Sequence, residues 1–301
     1  MTTTPEPPMT TAPARLPVVL LHALSLDASM WREPADALRT LGHPVLAVDQ
    51  RGFGTVPLGT AEPSLDVVAD DLARTLDAHG IDRAVLAGCS MGGYTASAFL
   101  RRFPDRVAGL ALLATRATAD TPETAAQRRR FAHLVQDEEH RPALLAHTTP
   151  GLVGATTRAS RPQVLARVRA DAERADPAAL AWSQLAIAAR PDSTDVLAAA
   201  RTPAVVIAGD EDELVPAEEA RHLAGTLPDG RLVTLTGAGH LAPLETPGAV
   251  VRTLHAFLTE IGDTACAPMT TASGATPPRP ASASPTTPSS TPTSAPANTP
   301  T

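Results

Sequence analysis

Short apolar runs alternate with longer stretches of helical periodicity up to Thr115, and the alternation resumes from about Asp195. Apolar runs that are bounded by turn residues and separated by helices are typical of buried strands in a mostly parallel sheet, because the helices cover both faces. The pattern therefore predicts an α/β fold. The candidate strands are residues 17–22, 45–49, 84–88, 107–114, 204–209 and 232–236.

Capping residues locate the ends of two helices outside the interrupted region. Ser64 precedes a helix predicted over residues 65–79, and Gly80 ends it. Pro247 begins the last predicted helix, which ends near Ile261.

Between residues 116 and 195 only helices are predicted. Thr121 and Pro122 are typical of a helix start, and Ser160 and Gln163 have the spacing of a capping box. This segment begins at the C-terminal end of a predicted strand, where ligands bind in such sheets. It is therefore interpreted as a helical lid over the site, and the alternative is an ordinary surface subdomain.

Both ends of the chain differ in composition from the rest. Residues 1–14 are rich in Thr and Pro, and residues 263–301 consist almost entirely of Ala, Pro, Ser and Thr. Such segments bury too little apolar surface to offset their ordering entropy, so both are predicted to be disordered. The remaining chain is predicted to form a core of residues 15–115 and 196–262, with the lid inserted between them.

The charge pattern argues against a nucleic-acid partner. The sequence carries a formal net charge of −7, and its basic run at residues 128–130 is interpreted as the solvated side of a helix. All 25 basic residues are arginine, since the sequence contains no lysine. Chemistry that needs a lysine Schiff base, including lysine-anchored pyridoxal phosphate, is therefore excluded.

Two cysteines, Cys89 and Cys266, are too few for a disulfide framework or a zinc cluster, which is typical of a reducing cytoplasm. No metal or cofactor is therefore expected. The first residues lack the basic start and apolar run of a signal peptide, and no stretch approaches the length of a membrane span. These observations predict a cytoplasmic protein without a membrane partner and leave its oligomeric state open.

The segment Gly88-Cys89-Ser90-Met91-Gly92 joins a predicted strand to a predicted helix, which is the arrangement of a nucleophile elbow. In so tight a turn, a Cβ atom at Gly88 or Gly92 would clash with neighbouring backbone. Ser90 is therefore predicted to project above the sheet edge as a nucleophile. The Met91 N–H, at a helix N-terminus, is suited to holding an oxyanion.

A serine nucleophile needs a base, and later strand ends provide candidates. His240 lies in a glycine-rich loop after the last predicted strand, and carboxylates at residues 210–213 follow the strand before it. The order Ser, acid, His is the one expected when an elbow serine is the nucleophile. His240 would take the Ser90 proton and return it to the leaving group, while the acid would hold the imidazole.

These motifs resemble those of the α/β-hydrolase superfamily in order and spacing, over residues 16–261. Residues 20–24 match the oxyanion strand end, residues 49–54 match the D-x-R-G-x-G turn, and the elbow and the two later loops complete the set. The resemblance implies an α/β-hydrolase fold with a mostly parallel sheet of six to eight strands, helices on both faces and a helical lid.

The resemblance also implies roles for individual residues. The pattern G-x-x-D-x-x-x-P places Asp212 as the acid, with Asp210 as the alternative, and the oxyanion donors are the N–H groups of Leu24 and Met91. The chain departs from the family at Ala23, where a glycine is usual, so the shape of this loop depends on a negative φ at the alanine. No β-hairpin is predicted before residue 17, which favours six strands over eight.

Serine at the elbow argues against epoxide hydrolases and haloalkane dehalogenases, which need a carboxylate nucleophile. The paired lid tyrosines of epoxide hydrolases are also absent, since Tyr94 is the sole tyrosine. The chain resembles the branch of 3-oxoadipate enol-lactonases and non-haem haloperoxidases and esterases. This implies a serine hydrolase that cleaves a small carboxylic ester or lactone through an acyl-enzyme.

Two other functions fit the same residues: a C–C hydrolase or cofactor-free oxygenase of this fold, and a non-catalytic receptor for a small ligand. For the hydrolase, the apolar lid residues imply a hydrophobic acyl or ring pocket. The residues predicted to form it are Phe131, Leu134, Leu152, Val153, Trp182 and Leu185, together with Trp31, for which a place in the core is the alternative.

Overall fold

The computed structural model describes residues 15–266, so the disorder predicted for residues 1–14 and 267–301 lies outside the described residues. Pro247 begins the last helix as predicted, but this helix continues to Cys266. Residues 263–266, which were assigned to the tail on composition, are therefore helical, because a helix already stabilised by packing can extend beyond its last apolar residue.

All six predicted strands are present and form one parallel sheet in the described part of the chain, which confirms the predicted α/β class. The order across the sheet is β2-β1-β3-β4-β5-β6. The central strands are continuous apolar runs because helices bury both of their faces. Their bounds are β1 Val18–Leu21, β2 Val45–Val48, β3 Ala84–Cys89, β4 Val107–Leu113, β5 Ala204–Gly209 and β6 Gly230–Leu235.

Helices pack on both sides of the sheet and form two separate apolar clusters. Val19 and Leu21 point into the cluster that contains the helices of residues 65–78, 91–102 and 217–226, while Val18 and Leu20 point into the cluster with the helices of residues 32–40 and 247–266. This follows from the two-residue period of a strand. The helices of the two layers are α1 Arg32–Thr40, α2 Leu65–Ala78, α3 Met91–Arg102, α10 Ala217–Thr226, the short α11 Ala242–Glu245 and α12 Pro247–Cys266.

The segment between β4 and β5 is helical, as the sequence predicts. Thr121 accepts a hydrogen bond from the Thr124 N–H at the first helix start. The capping box predicted at Ser160 is wrong: this residue ends a helix, and its hydroxyl donates to the Thr156 carbonyl four residues earlier. The helices are α4 Pro122–Leu134, α5 Arg141–Thr148, α6 Ala155–Ser160, α7 Pro162–Arg174, α8 Pro177–Ala188 and α9 Thr194–Ala198.

The direction of the strands determines where polar residues gather. Because the strands are parallel, the loops that follow β1, β3, β4, β5 and β6 meet at one edge of the sheet. The predicted functional residues are on these loops. Within residues 15–266 no helix combines the length and the apolar character needed to cross a membrane.

Candidate active site

Ser90 lies in a sharp turn between β3 and α3, with φ 52° and ψ −112°. Its N–H donates to the Leu113 carbonyl at 2.8 Å, which anchors the turn to the neighbouring strand. A Cβ atom at Gly88 would lie 2.2 Å from the Gly92 carbonyl oxygen, and one at Gly92 would lie 2.3 Å from the Leu21 carbonyl oxygen. The two glycines therefore allow a backbone approach that any other residue would prevent.

His240 connects Ser90 to Asp212. Its Nε2 lies 2.8 Å from Ser90 Oγ, and its Nδ1 lies 3.1 and 3.0 Å from the two carboxylate oxygens of Asp212. Because the carboxylate accepts at Nδ1, the proton of the neutral imidazole is on Nδ1 and Nε2 is free to accept the serine proton. The arrangement therefore has a nucleophile, a base and an orienting acid in hydrogen-bond contact.

The Asp212 carboxylate is held in its ionised form although it is almost completely buried. Burial alone would raise its pKa, but the hydrogen bond and electrostatic attraction of His240 and the N–H groups of Val215 and Leu214 outweigh burial and lower the pKa. A buried anion beside Nδ1 stabilises the imidazolium that forms when His240 accepts a proton.

The other carboxylates of the 210–213 loop do not contact His240. Asp210, the alternative acid, accepts from the Gly237 N–H at 2.8 Å and so fixes the start of the histidine loop. Glu211 accepts from the N–H and hydroxyl of Thr156, and Glu213 pairs with Arg158 at 2.8 Å. The geometry thus separates one residue that orients the imidazole from three that fasten the loop to its neighbours.

The N–H groups of Leu24 and Met91 donate no hydrogen bond to any described residue, so both are available to an oxyanion. Ala23 keeps a negative φ, so the alanine fits where the family usually has glycine. The positive φ of this loop is at Ser25, with φ 73°. The backbone strain that a glycine would relieve therefore lies two residues later than the motif predicts.

His22 holds the Leu24 loop in place rather than serving as a second base. Its Nε2 accepts from the Gln50 N–H at 2.9 Å, so its Nδ1–H donates to the Ala23 carbonyl at 3.0 Å. The Gln50 side chain also bonds the His22 carbonyl and the Thr95 hydroxyl. Complete burial lowers the pKa of His22, which keeps the ring neutral.

Glu245 is a functional candidate that the sequence reasoning missed. Its carboxylate is completely buried and accepts from the N–H groups of Gly239 and Leu241, on either side of His240, and from that of Gly154. These three backbone donors satisfy an anion that would otherwise be costly to bury. A charged residue in a short apolar helix, directly after the histidine loop, is the signal that the sequence offered.

A cavity of about 570 Å³ opens onto Ser90 and His240. Phe131 and Leu152 line it, as expected, and Leu24, Tyr94, Leu145 and Ile187 add further apolar wall. About as many polar residues line the cavity as apolar ones, which the sequence did not predict. These polar residues are Ser25, Arg116, Thr124, Gln127, Arg128, Thr148, Thr149 and Gln184.

The other predicted pocket residues lie away from the cavity. Trp31 and Val153 are completely buried in the cluster beneath α1 and α12, and Leu134 is the last residue of α4, one turn beyond the cavity. On α8 the cavity face carries Gln184 and Ile187, so the helical period turns Trp182 and Leu185 aside. Trp182 instead donates from Nε1 to the Ala61 carbonyl at 2.7 Å.

Within residues 15–266, no three His, Cys, Asp or Glu side chains are grouped as a metal site would require. Cys89, next to the nucleophile, is completely buried, and burial raises the pKa of its thiol above its ordinary value. Neither observation adds a second reactive group to the site.

A family model described as the alpha/beta hydrolase fold matches residues 17–247. The chain is 31% identical over 240 residues to a pimeloyl-[acyl-carrier protein] methyl ester esterase of Aromatoleum aromaticum. The matched region covers 76% of this chain and 93% of that protein.

Solved structures give the same picture. A thermophilic esterase from Thermogutta terrifontis, described as malate bound, has a TM-score of 0.79 and 37% identity, covering 82% of this chain and 90% of that one. An enol-lactonase from Burkholderia xenovorans has a TM-score of 0.74 and 30% identity, covering 81% and 92%.

Proposed function

Because the chain belongs to the α/β-hydrolase family and is a hydrolase, we propose that it cleaves a small carboxylic ester or lactone with a triad of Ser90, His240 and Asp212. The observation that carries this proposal is the contact of 2.8 Å between Ser90 Oγ and His240 Nε2, with Asp212 behind the imidazole. The esterases and the enol-lactonase among the relatives support an ester or lactone as the substrate class.

The reaction begins when His240 Nε2 takes the Ser90 proton as the oxygen attacks the substrate carbonyl carbon. The oxyanion of the tetrahedral intermediate accepts hydrogen bonds from the Leu24 and Met91 N–H groups. His240 then protonates the leaving alkoxide, and an acyl group stays on Ser90. The alcohol departs if the substrate is an ester and remains part of the acyl chain if it is a lactone. A water molecule, deprotonated by His240, attacks this acyl group, and His240 returns the proton to Ser90 Oγ as the carboxylic acid is released.

We further propose that the helical segment 116–195 acts as the lid of this site. Phe131 from α4 and Leu152 from the turn after α5 line the cavity above Ser90, so this segment determines which substrates fit. The cytoplasmic location and the absence of nucleic-acid and membrane partners stay predictions from composition.

The triad is tested by labelling with a fluorophosphonate probe and by hydrolysis of 4-nitrophenyl butyrate. Replacing Ser90 by Ala should abolish labelling and lower kcat by about a thousandfold or more. Replacing Ser97 by Ala is the matched control, because this buried serine of α3 only donates to the Gly93 carbonyl. Persistent labelling of the Ser90→Ala variant would contradict the proposal.

The same assays separate a hydrolase from the oxygenase and from the receptor. A cofactor-free oxygenase would keep its activity in Ser90→Ala and lose it in His240→Ala. A non-catalytic receptor would bind small ligands tightly without turning over any ester above background. A hydrolase needs both residues, so the two variants should be similarly inactive.

A further inference from the structure

Two arginines, Arg116 and Arg128, line the cavity, whereas no aspartate or glutamate of the described residues lines it. Arg128 has an acidic partner: its Nε donates to Asp120 Oδ2 at 2.6 Å, and its Nη1 donates to Gln184 at 3.0 Å. Asp120 also pairs with Arg190 at 2.8 Å, so this cluster already carries one more positive than negative charge.

Arg116 has no matching carboxylate among the described residues. Its Nη2 donates to the Leu214 carbonyl at 2.8 Å, while its Nε is buried without any hydrogen-bond partner. Arg116 is half-buried, and the buried Nε–H of its guanidinium lacks an acceptor that an anion in the cavity would supply. The cavity therefore contains an unmatched cation with unused N–H groups.

The position of Arg116 connects it to the reacting groups. It follows β4, the strand whose last residue, Leu113, bonds the Ser90 N–H. Leu214, whose carbonyl holds the guanidinium, also donates its own N–H to Asp212. Arg116 is thus fixed to the acid loop on one side and to the strand beside the elbow on the other.

We propose that the substrate carries a carboxylate, in addition to the ester or lactone group, and that this carboxylate pairs with Arg116. A planar guanidinium with free donors matches a carboxylate in geometry and charge. The apolar wall of Phe131, Leu145, Leu152 and Ile187 then receives the carbon skeleton between the two ends. This inference rests on the proposed ester or lactone hydrolysis.

The test compares two pairs of esters that differ in one carboxylate. In the first pair, 4-nitrophenyl hydrogen adipate carries the carboxylate in its acyl part, and 4-nitrophenyl hexanoate is its neutral counterpart. In the second pair, 4-acetoxybenzoate carries the carboxylate in its alcohol part, and phenyl acetate is its neutral counterpart. Replacing Arg116 by Gln should lower kcat/KM at least about thirtyfold for one anionic ester and change both neutral esters less than about threefold. Arg116→Lys should retain part of the preference, since it keeps the charge without the planar fork.

Arg130→Gln is the matched control, because it removes one arginine charge from the exposed side of α4, the helix that carries Phe131. It should leave all four substrates unchanged. The inference would be overturned if Arg116→Gln lowered kcat/KM equally for the anionic and the neutral esters. It would also be overturned if the ratio of kcat/KM between anionic and neutral esters were the same in the wild type and in Arg116→Gln.

A binding measurement separates this inference from the proposed function. Adipate should raise the Tm of the wild-type protein and of Ser90→Ala, and should not raise that of Arg116→Gln. Stabilisation by adipate without any Ser90-dependent hydrolysis would refute the triad and keep the anion site. Hydrolysis of the neutral esters with no effect of adipate and no role for Arg116 would keep the triad and refute the anion site.

Discussion

The Glu245 carboxylate accepts a hydrogen bond of 2.8 Å from the Gly154 N–H, across 91 positions of sequence. The same carboxylate holds the N–H groups of Gly239 and Leu241, which flank His240. One buried side chain therefore fastens the histidine loop to the helical segment above it. The position of the imidazole depends on this carboxylate, although Glu245 does not touch the imidazole.

Replacing Glu245 by Gln should lower the free energy of unfolding by about 3 kcal/mol, because an amide nitrogen then faces buried N–H donors. The expected fall in Tm is about 5–10 °C. Displacement of His240 should lower kcat by about tenfold or more with little change in KM, since small errors in geometry are costly. Glu218→Gln, at an exposed position of α10, should change neither the stability nor kcat.

Asp212→Asn should lower kcat by about a thousandfold to ten-thousandfold, because the amide no longer stabilises the imidazolium and favours the wrong tautomer. Asp210→Asn is the matched variant in the same loop. It only weakens the bond to the Gly237 N–H, so kcat should fall less than about tenfold. The reverse order of the two effects would assign the acid to Asp210.

Gly88→Ala should destabilise the fold by more than about 3 kcal/mol, because its Cβ would lie 2.2 Å from the Gly92 carbonyl oxygen, which cannot move without opening the elbow. Gly225→Ala offers a control, since a Cβ there meets no atom within 4 Å and the residue is in α10. This second change should leave the protein as stable or up to about 1 kcal/mol more stable. Urea unfolding of both variants checks the contrast.

The neutral His22 ring predicts a loss of stability in mild acid. Its folded pKa lies below the ordinary value of 6.5, so below that pH the unfolded chain binds more protons than the folded one. The stabilisation is complete above about pH 6.5 and falls as the pH drops, by at most about 1.4 kcal/mol per unit. Urea titrations should show that the free energy of unfolding differs less between pH 5.5 and pH 7.5 in His22→Gln than in the wild type.

His43 is the appropriate comparison for this measurement. Its pKa is also lowered, mainly by burial and further by the charges of Arg15 and His255, so it acts in the same direction. His43→Gln should remove its own share and leave the share of His22. An equal pH dependence in the wild type and in both variants would show that neither ring is responsible.

The strands and the elbow could be predicted because local sequence determines them. Continuous apolar runs need burial on both faces, and the glycines at 88 and 92 have a steric reason that is visible in the sequence. The order of strands also brings Ser90, Asp212 and His240 to one edge of the sheet. The contact between Asp212 and His240 supports the acid that the family pattern implied.

The cavity wall could not be predicted in this way. Its residues come from segments whose relative rotation depends on packing between helices, so an apolar residue on α4 or α8 gave no indication of its direction. Trp182 and Leu185 are turned aside by the period of α8, and Gln184 takes the cavity face. The lack of a carboxylate partner for Arg116 likewise depends on how the loops pack together, which the residues around position 116 do not determine.

The parallel sheet also determines the order in which the molecule can become reactive. Ser90 follows β3, whereas Asp212 and His240 follow β5 and β6, and β5 pairs with β4 only after the chain has closed the long loop 114–203. Long-range pairing of this kind is slow compared with helix formation. During refolding, labelling of Ser90 should therefore lag behind the recovery of helical circular dichroism, which makes the nucleophile a kinetic reporter of the last strands to join.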